Sequence, residues 1–310
     1  MNYKNDECWK NVQKYLPPHN RLTEQSMPEE NYVTVLEHQI HIDHYKVRKP
    51  KARIILFHGV GGNGRLLSFI AAPLKEKGYE VICPDLPLYG YTKYKSPVTY
   101  ETWVNCGIQV VKHFHKDEVP IFLFGLSAGG LLAYQVATAF TDLSGVIATC
   151  ILDQRNKYIT KRTAKNPFFA TIGNSFLSLT YKVFPSIKLP MKLVTDMKSI
   201  ANDKELATLL MKDKKSSGSW VPLSFLYTML HPIIKIEPED FLVCPFLLVH
   251  PENDQWTELS LSKLFFDRLA CEKELKLLQG AGHFPIEKKG LEQLEEFCHE
   301  FMERCVSKSH

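Results

Sequence analysis

Short apolar runs recur along this chain between segments of helical period, and this alternation leaves few folds open. RIILFHG (53–59), YEVICPD (79–85), VPIFLFG (119–125) and SGVIATCIL (144–152) each read as a strand buried on both faces. The helical segments RLLSFIAAPLKEKG (65–78), YETWVNCGIQVVKHFH (100–115) and SAGGLLAYQVATAF (127–140) separate them. The pattern resumes with FLVCPFLLVHP (241–251), ELSLSKLFFDRLA (258–270) and KELKLL (273–278). A last helix places Leu291, Leu294, Phe297 and Phe301 on one stripe. Strands alternating with helices predict right-handed βαβ units and a mostly parallel central sheet flanked by helices, an α/β fold. YVTVLEHQIHIDHYKV (32–47) mixes β-branched and polar residues, as an antiparallel pair at the sheet edge would.

The alternation stops at Asp153 and returns after Pro238. The division expected is a core of residues 1–152 and 239–310, interrupted by an inserted cap of residues 153–238. Within the insertion KNPFF, FPSIKLPMKL and KDKKSSGSW act as breakers between short helical pieces. The insertion is aromatic, with Tyr158, Phe168, Phe169, Phe176, Tyr181, Phe184, Trp220, Phe225 and Tyr227. It is also basic: residues 153–235 carry 14 Lys and Arg against 5 Asp and Glu, so the +4 of the whole chain conceals a segment of +9. Such a surface attracts anions or an anionic membrane face, although a solvated lysine-rich surface has the same composition.

Chemistry concentrates at loops that follow strands. Gly125-Leu126-Ser127-Ala128-Gly129 falls where the third βα unit turns from strand to helix, the context that gives G-x-S-x-G its meaning. The sharp turn requires glycines at 125 and 129, and the Ser127 hydroxyl stands at a helix N-terminus that favours developing negative charge. A hydroxyl nucleophile needs a base, and the base an orienting acid. His283, in QGAGHFP after the last strand, is the candidate base, with His250 as rival. Asp254, in VHPENDQWTE, is the candidate acid, with Asp153 as competitor. The order Ser127, Asp254, His283 suits a nucleophile-elbow triad. FHGVGGNG (57–64) supplies backbone donors for an oxyanion, the Val60 N–H pairing with that of Ala128. No Lys-Ser/Thr follows this loop and no G-x-G-x-x-G sits in a dinucleotide context, which argues against nucleotide binding. His58 is expected to order that loop, and the two histidines His41 and His44 near the edge hairpin do not make a metal site.

FHGVGG, PDLPLYG, GLSAGG, HPENDQ and GAGHFP stand in the order and spacing of the α/β-hydrolase superfamily, from about residue 30 to 306. Within it the chain most resembles the monoacylglycerol lipase and lysophospholipase branch, where a cap also enters after the sixth strand. The resemblance implies Ser127 as nucleophile, His283 as base, Asp254 as its partner and the Val60 and Ala128 amides as oxyanion hole, with Leu126, Gly59 and Leu88 around the substrate. It departs from that branch at Leu126 and Ala128, where His and Met are usual, and at Asp85 to Thr92, which keeps only the second glycine of D-x-x-G-x-G-x-S. The function expected is hydrolysis of a small-molecule acyl ester, through an acyl-enzyme and without cofactor or metal. Thioester hydrolysis and acyl transfer share the same triad. Peptide cleavage is disfavoured because no acidic cluster in the cap would bind an amino terminus. A non-catalytic binding protein of the fold would typically have lost a triad member.

The partners expected are thus the ester, no nucleic acid and, through the basic cap, peripheral contact with an anionic membrane; oligomeric state is not legible. A polar N-terminus without an apolar stretch and eight scattered cysteines with no C-x-x-C pair suggest a cytoplasmic protein.

Overall fold

The computed structural model describes residues 2–164 and 177–308. The KNPFF breaker, with Phe168 and Phe169, and Phe176 lie outside the described residues. Ten strands are described: β1 (Glu29–Val35), β2 (His38–Tyr45), β3 (Arg53–Phe57), β4 (Glu80–Pro84), β5 (Ile121–Gly125), β6 (Gly145–Ala148), β7 (Lys188–Pro190), β8 (Trp220–Pro222), β9 (Phe246–Pro251) and β10 (Lys273–Leu278). Eight of them form one sheet in the order β1-β2-β4-β3-β5-β6-β9-β10. β1 and β2 pair antiparallel at one edge, as the mixed pattern at 32–47 predicts, and β2 joins β4 antiparallel as well. From β4 onward to β10 every pairing in this sheet is parallel. Every residue of β3, β4, β5, β6 and β9 is buried. Covered by helices on both faces, these strands need no polar alternation.

Register places the loops that matter side by side. Phe57 and Ala148 both pair with Gly125, so β3, β5 and β6 end level and deliver their following residues to one sheet edge. Leu278 pairs with Pro251, which brings the loops after β9 and β10 to the same edge. The helix predicted at 65–78 is realised as a 3-10 turn, Arg65–Leu67, running into Ser68–Glu76, and Gly78 closes it at φ +94°.

Between β6 and β9 the described chain adds no strand to this sheet. It forms helices Lys157–Thr163, Lys204–Lys212 and Leu223–Leu230 and a separate antiparallel pair, β7 with β8. Three-residue strands are too short to show a period of two, so the sequence reads that pair as breaker. β6 itself ends at Ala148, four residues earlier than the apolar run suggests. Its continuation bends across the nucleophile turn, where Thr149 Oγ1 accepts the Ser127 N–H at 3.0 Å.

The sheet edge hides an ionic core. His41 and Asp43 on β2 are buried, with Arg65 and Asp85. The Arg65 guanidinium grips both Asp43 oxygens (2.5 and 2.9 Å) beneath the Tyr3 and Trp9 rings. His41 sits between Glu30 (2.9 Å) and Asp85 (3.1 Å), edge-on to Tyr3 and Tyr32. Glu30, His41 and Asp43 converge closely enough to hold a metal ion, but the Arg65 guanidinium already pairs with both carboxylates.

Burial alone would lower His41, yet hydrogen bonds to Asp85 and Glu30 and the field of Asp85 and Asp43 raise it to about 9. An unfolded histidine titrates near 6.5, so the charged ring stabilises the fold fully below about 6.5 and ceases to do so as pH rises through about 9. On the order of 3 kcal/mol rests on that proton. Wild type is expected to lose more melting temperature between pH 7 and 10 than His41→Gln; equal losses in a calorimetric pH series would remove the assignment.

Candidate active site

Ser127 is the second residue of the two-residue turn, Leu126-Ser127, between β5 and helix Ala128–Ala137, with φ +58° and ψ −127°. A non-glycine residue held there costs about 1–3 kcal/mol and persists only where its surroundings impose it. The surroundings are tight. A Cβ on Gly125 would lie 1.9 Å from the Gly129 carbonyl oxygen, and one on Gly129 would lie 2.5 Å from that of Phe57. The Ser127 side chain makes no helix-capping hydrogen bond. Its hydroxyl instead lies 2.7 Å from His283 Nε2.

His283 is buried, with Nδ1 2.8 Å from Asp254 Oδ2. Its loop turns at Gly280, φ +71°, where a Cβ would meet open space. Gly282 is the point of close approach: a Cβ there would stand 2.6 to 2.8 Å from the Asn202 side chain of the inserted segment. The Phe284 N–H donates to Ile200 O in the same segment, at 3.0 Å.

Asp254 is saturated with donors. Oδ1 accepts the N–H groups of Trp256 (2.9 Å) and Thr257 (2.7 Å), and Oδ2 accepts the Thr257 hydroxyl (2.7 Å) beside the His283 ring. Burial would raise this carboxyl; the charge and hydrogen bond of His283, with the Thr257 donors, hold it well below the usual carboxylate range. Thr257 is a residue sequence reasoning missed, although Asp-x-x-Thr opening a helical segment is a recognisable side-chain-to-backbone turn.

The rivals are occupied elsewhere. Asp153 Oδ2 is held at 2.7 Å by the Arg155 guanidinium. Both ring nitrogens of the fully buried His250 face backbone carbonyls, those of Pro251 and Thr257.

The glycine loop lies directly on the turn: a Cβ on Gly59 would stand 2.8 Å from Ser127 Cβ and 3.1 Å from the Ala128 nitrogen. Burial holds His58 down at about 4, so its ring is neutral and each nitrogen has one role. Nε2 accepts the Leu86 N–H at 3.0 Å, which leaves Nδ1–H to donate to Gly59 O at 2.7 Å. Gly59 O also accepts the Gly62 N–H at 3.1 Å. In a trans peptide the N–H opposes the C=O, so the Val60 N–H points away from both partners. Among the described residues neither it nor the Ala128 N–H has an intramolecular acceptor.

Ser127, Ala128 and Val60 open onto a cavity of about 370 Å³. Its wall is mostly aliphatic, from Leu131 and Leu152 below to Leu189, Leu193, Leu223 and Leu226 of the inserted segment above. Gly59 and Leu126 line a small recess behind Ser127 and beside His283. Leu88 is a correction, since it reaches neither space. Its φ of +88° belongs to a turn closed by the Tyr89 N–H on Leu86 O, and the side chain is buried in the core.

With the fold and this geometry in view, comparison with known proteins is direct. Residues 48–288 match the Hydrolase_4 family, described as serine aminopeptidase S33, and the chain belongs to that family of α/β-hydrolases. It is 26% identical to the monoglyceride lipase of Rattus norvegicus over 242 residues, 76% of each chain. Phospholipase YtpA of Bacillus subtilis is 24% identical over 245 residues, 74% of this chain and 86% of that one. A crystal structure of a soluble variant of monoglyceride lipase from Saccharomyces cerevisiae, in complex with a substrate analog, superimposes with a TM-score of 0.74 at 20% identity, covering 93% of this chain and 98% of that one. The superfamily and branch read from the motifs are therefore borne out.

Proposed function

We propose that the chain hydrolyses carboxylic esters of hydrophobic acyl groups, such as monoacylglycerols or lysophospholipids, through Ser127, His283 and Asp254. His283 Nε2 takes the Ser127 proton as Oγ attacks the acyl carbonyl, and Asp254 holds the imidazole with Nδ1–H turned inward. The Val60 and Ala128 N–H groups stabilise the tetrahedral oxyanion. Collapse expels the alcohol, protonated by His283; water, activated by the same ring, then releases the acid from the acyl-enzyme. Residues 153–238 form the cap that roofs the acyl site.

The observation that carries this reading is the opening of the Ser127 hydroxyl onto an aliphatic cavity. No Asp or Glu lines that cavity among the described residues, and an aminopeptidase would need one to hold the ammonium of a peptide substrate. The relatives named above as lipase and phospholipase support the same choice. On the cap, Leu179, Val183, Phe184, Leu193 and Trp220 are exposed alongside the Lys182, Lys188 and Lys192 positions, a surface suited to an anionic lipid face.

A chain-length series of p-nitrophenyl esters, run beside monoacylglycerol and lysophospholipid, tests the substrate class. Esters of eight or more carbons are expected to exceed acetate in kcat/KM by at least about tenfold, because each buried methylene contributes about 0.8 kcal/mol. A preference for acetate would refute the lipid assignment and leave the esterase chemistry intact. Widening the same wall by Leu226→Ala is expected to shift the optimum toward longer chains while hydrolysis of short esters changes less than about threefold.

A further inference from the structure

The stretch KDKKSSGSW reads as a polar breaker, yet Ser216, Ser217 and Ser219 are buried. Buried hydroxyls need partners, and the partner of Ser217 is informative. Its Oγ donates to the carbonyl oxygen of Gly61, across 156 positions of sequence, at 2.9 Å. Gly61 belongs to the loop that carries Val60. Its φ of +81° is one that glycine adopts freely. A Cβ there would lie 2.6 Å from Met197 Cε and 3.0 Å from Ser217 Oγ, so two residues of the inserted segment close over this one peptide.

Neighbouring contacts extend the grip. The Lys215 carbonyl accepts the Gly90 N–H at 2.9 Å and faces Asn63 Nδ2 at 3.5 Å. Asn63 Oδ1 in turn accepts the Leu66 N–H, and the Gly64 N–H donates to Asp85 at 2.7 Å. Lys215 Nζ reaches the N-terminal segment, pairing with Asp6 at 2.8 Å over the Tyr91 ring. The core supplies His58 on one side of Val60; the inserted segment supplies Ser217 on the other, braced from outside by Asp6.

We propose that Ser217 is a positioning residue for the oxyanion site: by holding the Gly61 carbonyl it fixes the direction of the Val60 N–H, so that the cap completes the catalytic site as well as roofing it. The proposal rests on the reading of Val60 as an oxyanion donor. It has a consequence for turnover. Displacing the segment that carries Ser217 would break this contact and leave the loop with only the supports it draws from the core, His58 and Asp85. Hydrolysis is thereby tied to the seated cap.

Both acylation and deacylation pass through a tetrahedral anion, so loosening the donor slows both, and kcat falls with little change in KM. Removing an oxyanion donor outright costs about 10²–10³ in kcat, and disturbing it from the next peptide but one, Gly61–Gly62, costs less. Ser217→Ala is expected to lower kcat on p-nitrophenyl butyrate about tenfold with KM within twofold. It is also expected to weaken a phenylboronic acid inhibitor about tenfold, since Ser127 Oγ adds to boron to give a tetrahedral anion while its proton passes to His283.

A kcat within twofold of wild type, or a rise in KM without a fall in kcat, would overturn the proposal. Should Ser217→Ala fail to fold, Asp6→Asn reads the same brace from its outer end: kcat is expected to fall two- to fivefold at constant KM, and an unchanged kcat counts against the proposal. Ser127→Ala measured alongside separates the two levels. If it stays active, the oxyanion reading itself fails; if it is dead while Ser217→Ala is unimpaired, only the role of Ser217 falls.

Discussion

Ser127→Ala is expected to lower kcat on any ester substrate by about a millionfold, with the protein folded and KM little changed. The size follows from the arrangement. The oxygen removed is the one 2.7 Å from His283 Nε2, and among the described residues no second hydroxyl or thiol is positioned to replace it. Cys150 is the nearest alternative nucleophile by sequence on that edge, but burial pushes its thiol up to about 12 and keeps it protonated. The variant is expected to be no less stable than wild type, because the substituted alanine inherits the strained backbone without a hydroxyl to satisfy. Retention of more than about a thousandth of wild-type turnover would place the nucleophile elsewhere.

Asp254→Asn is expected to cost about 10⁴ in kcat, and the hydrogen bonds say why. Two backbone N–H groups, from Trp256 and Thr257, point at Oδ1 and will select the amide oxygen of asparagine. The amide NH₂ then falls at the Oδ2 position, facing His283 Nδ1. A donor there forces Nδ1 to accept and moves the ring proton to Nε2, leaving nothing to take the Ser127 proton. The prediction is therefore a tautomer trap with the fold intact. Asp153→Asn, which disturbs only the Arg155 contact, is expected to keep activity within about threefold. Equal losses in the two variants would contradict the assignment of Asp254.

The parts of this account that were legible in sequence are those written locally. β3, β4, β5 and β9 announce themselves because strands covered on both faces are apolar without alternation. The elbow is legible because Gly125 and Gly129 answer to collisions within the same turn. Asp254 and His283 could be found because each follows a strand at the same sheet edge. What was not legible depends on distant partners. A β2 strand reading HQIHIDHY looks solvent-facing, and only Arg65, Asp85 and Tyr3, far away in the chain, make His41 and Asp43 core residues. KKSSGSW looks like a linker, and only Gly61, 156 positions away, gives the buried Ser217 hydroxyl its acceptor. Leu88 stands in the loop where the sequence placed it, but it is buried at φ +88° and lines neither the cavity nor the recess.

The inserted segment lies between these extremes. Composition alone flagged the segment as distinct, through a charge of +9 over residues 153–235. It could not show that Leu223 and Leu226 are buried in the wall of the Ser127 cavity while Leu179, Val183 and Trp220 are exposed, or that Leu189 and Leu193 line the cavity and also reach the surface.

The central claim, that Ser127 is the nucleophile of an acyl-enzyme mechanism, is tested most directly by reacting the protein with a fluorophosphonate and mapping the adduct by peptide mass spectrometry. The account predicts one phosphonate per chain, on the peptide containing Gly125-Leu126-Ser127-Ala128-Gly129, lost in Ser127→Ala and slowed in Asp254→Asn. An unlabelled wild type, or an adduct on any other residue, would contradict it.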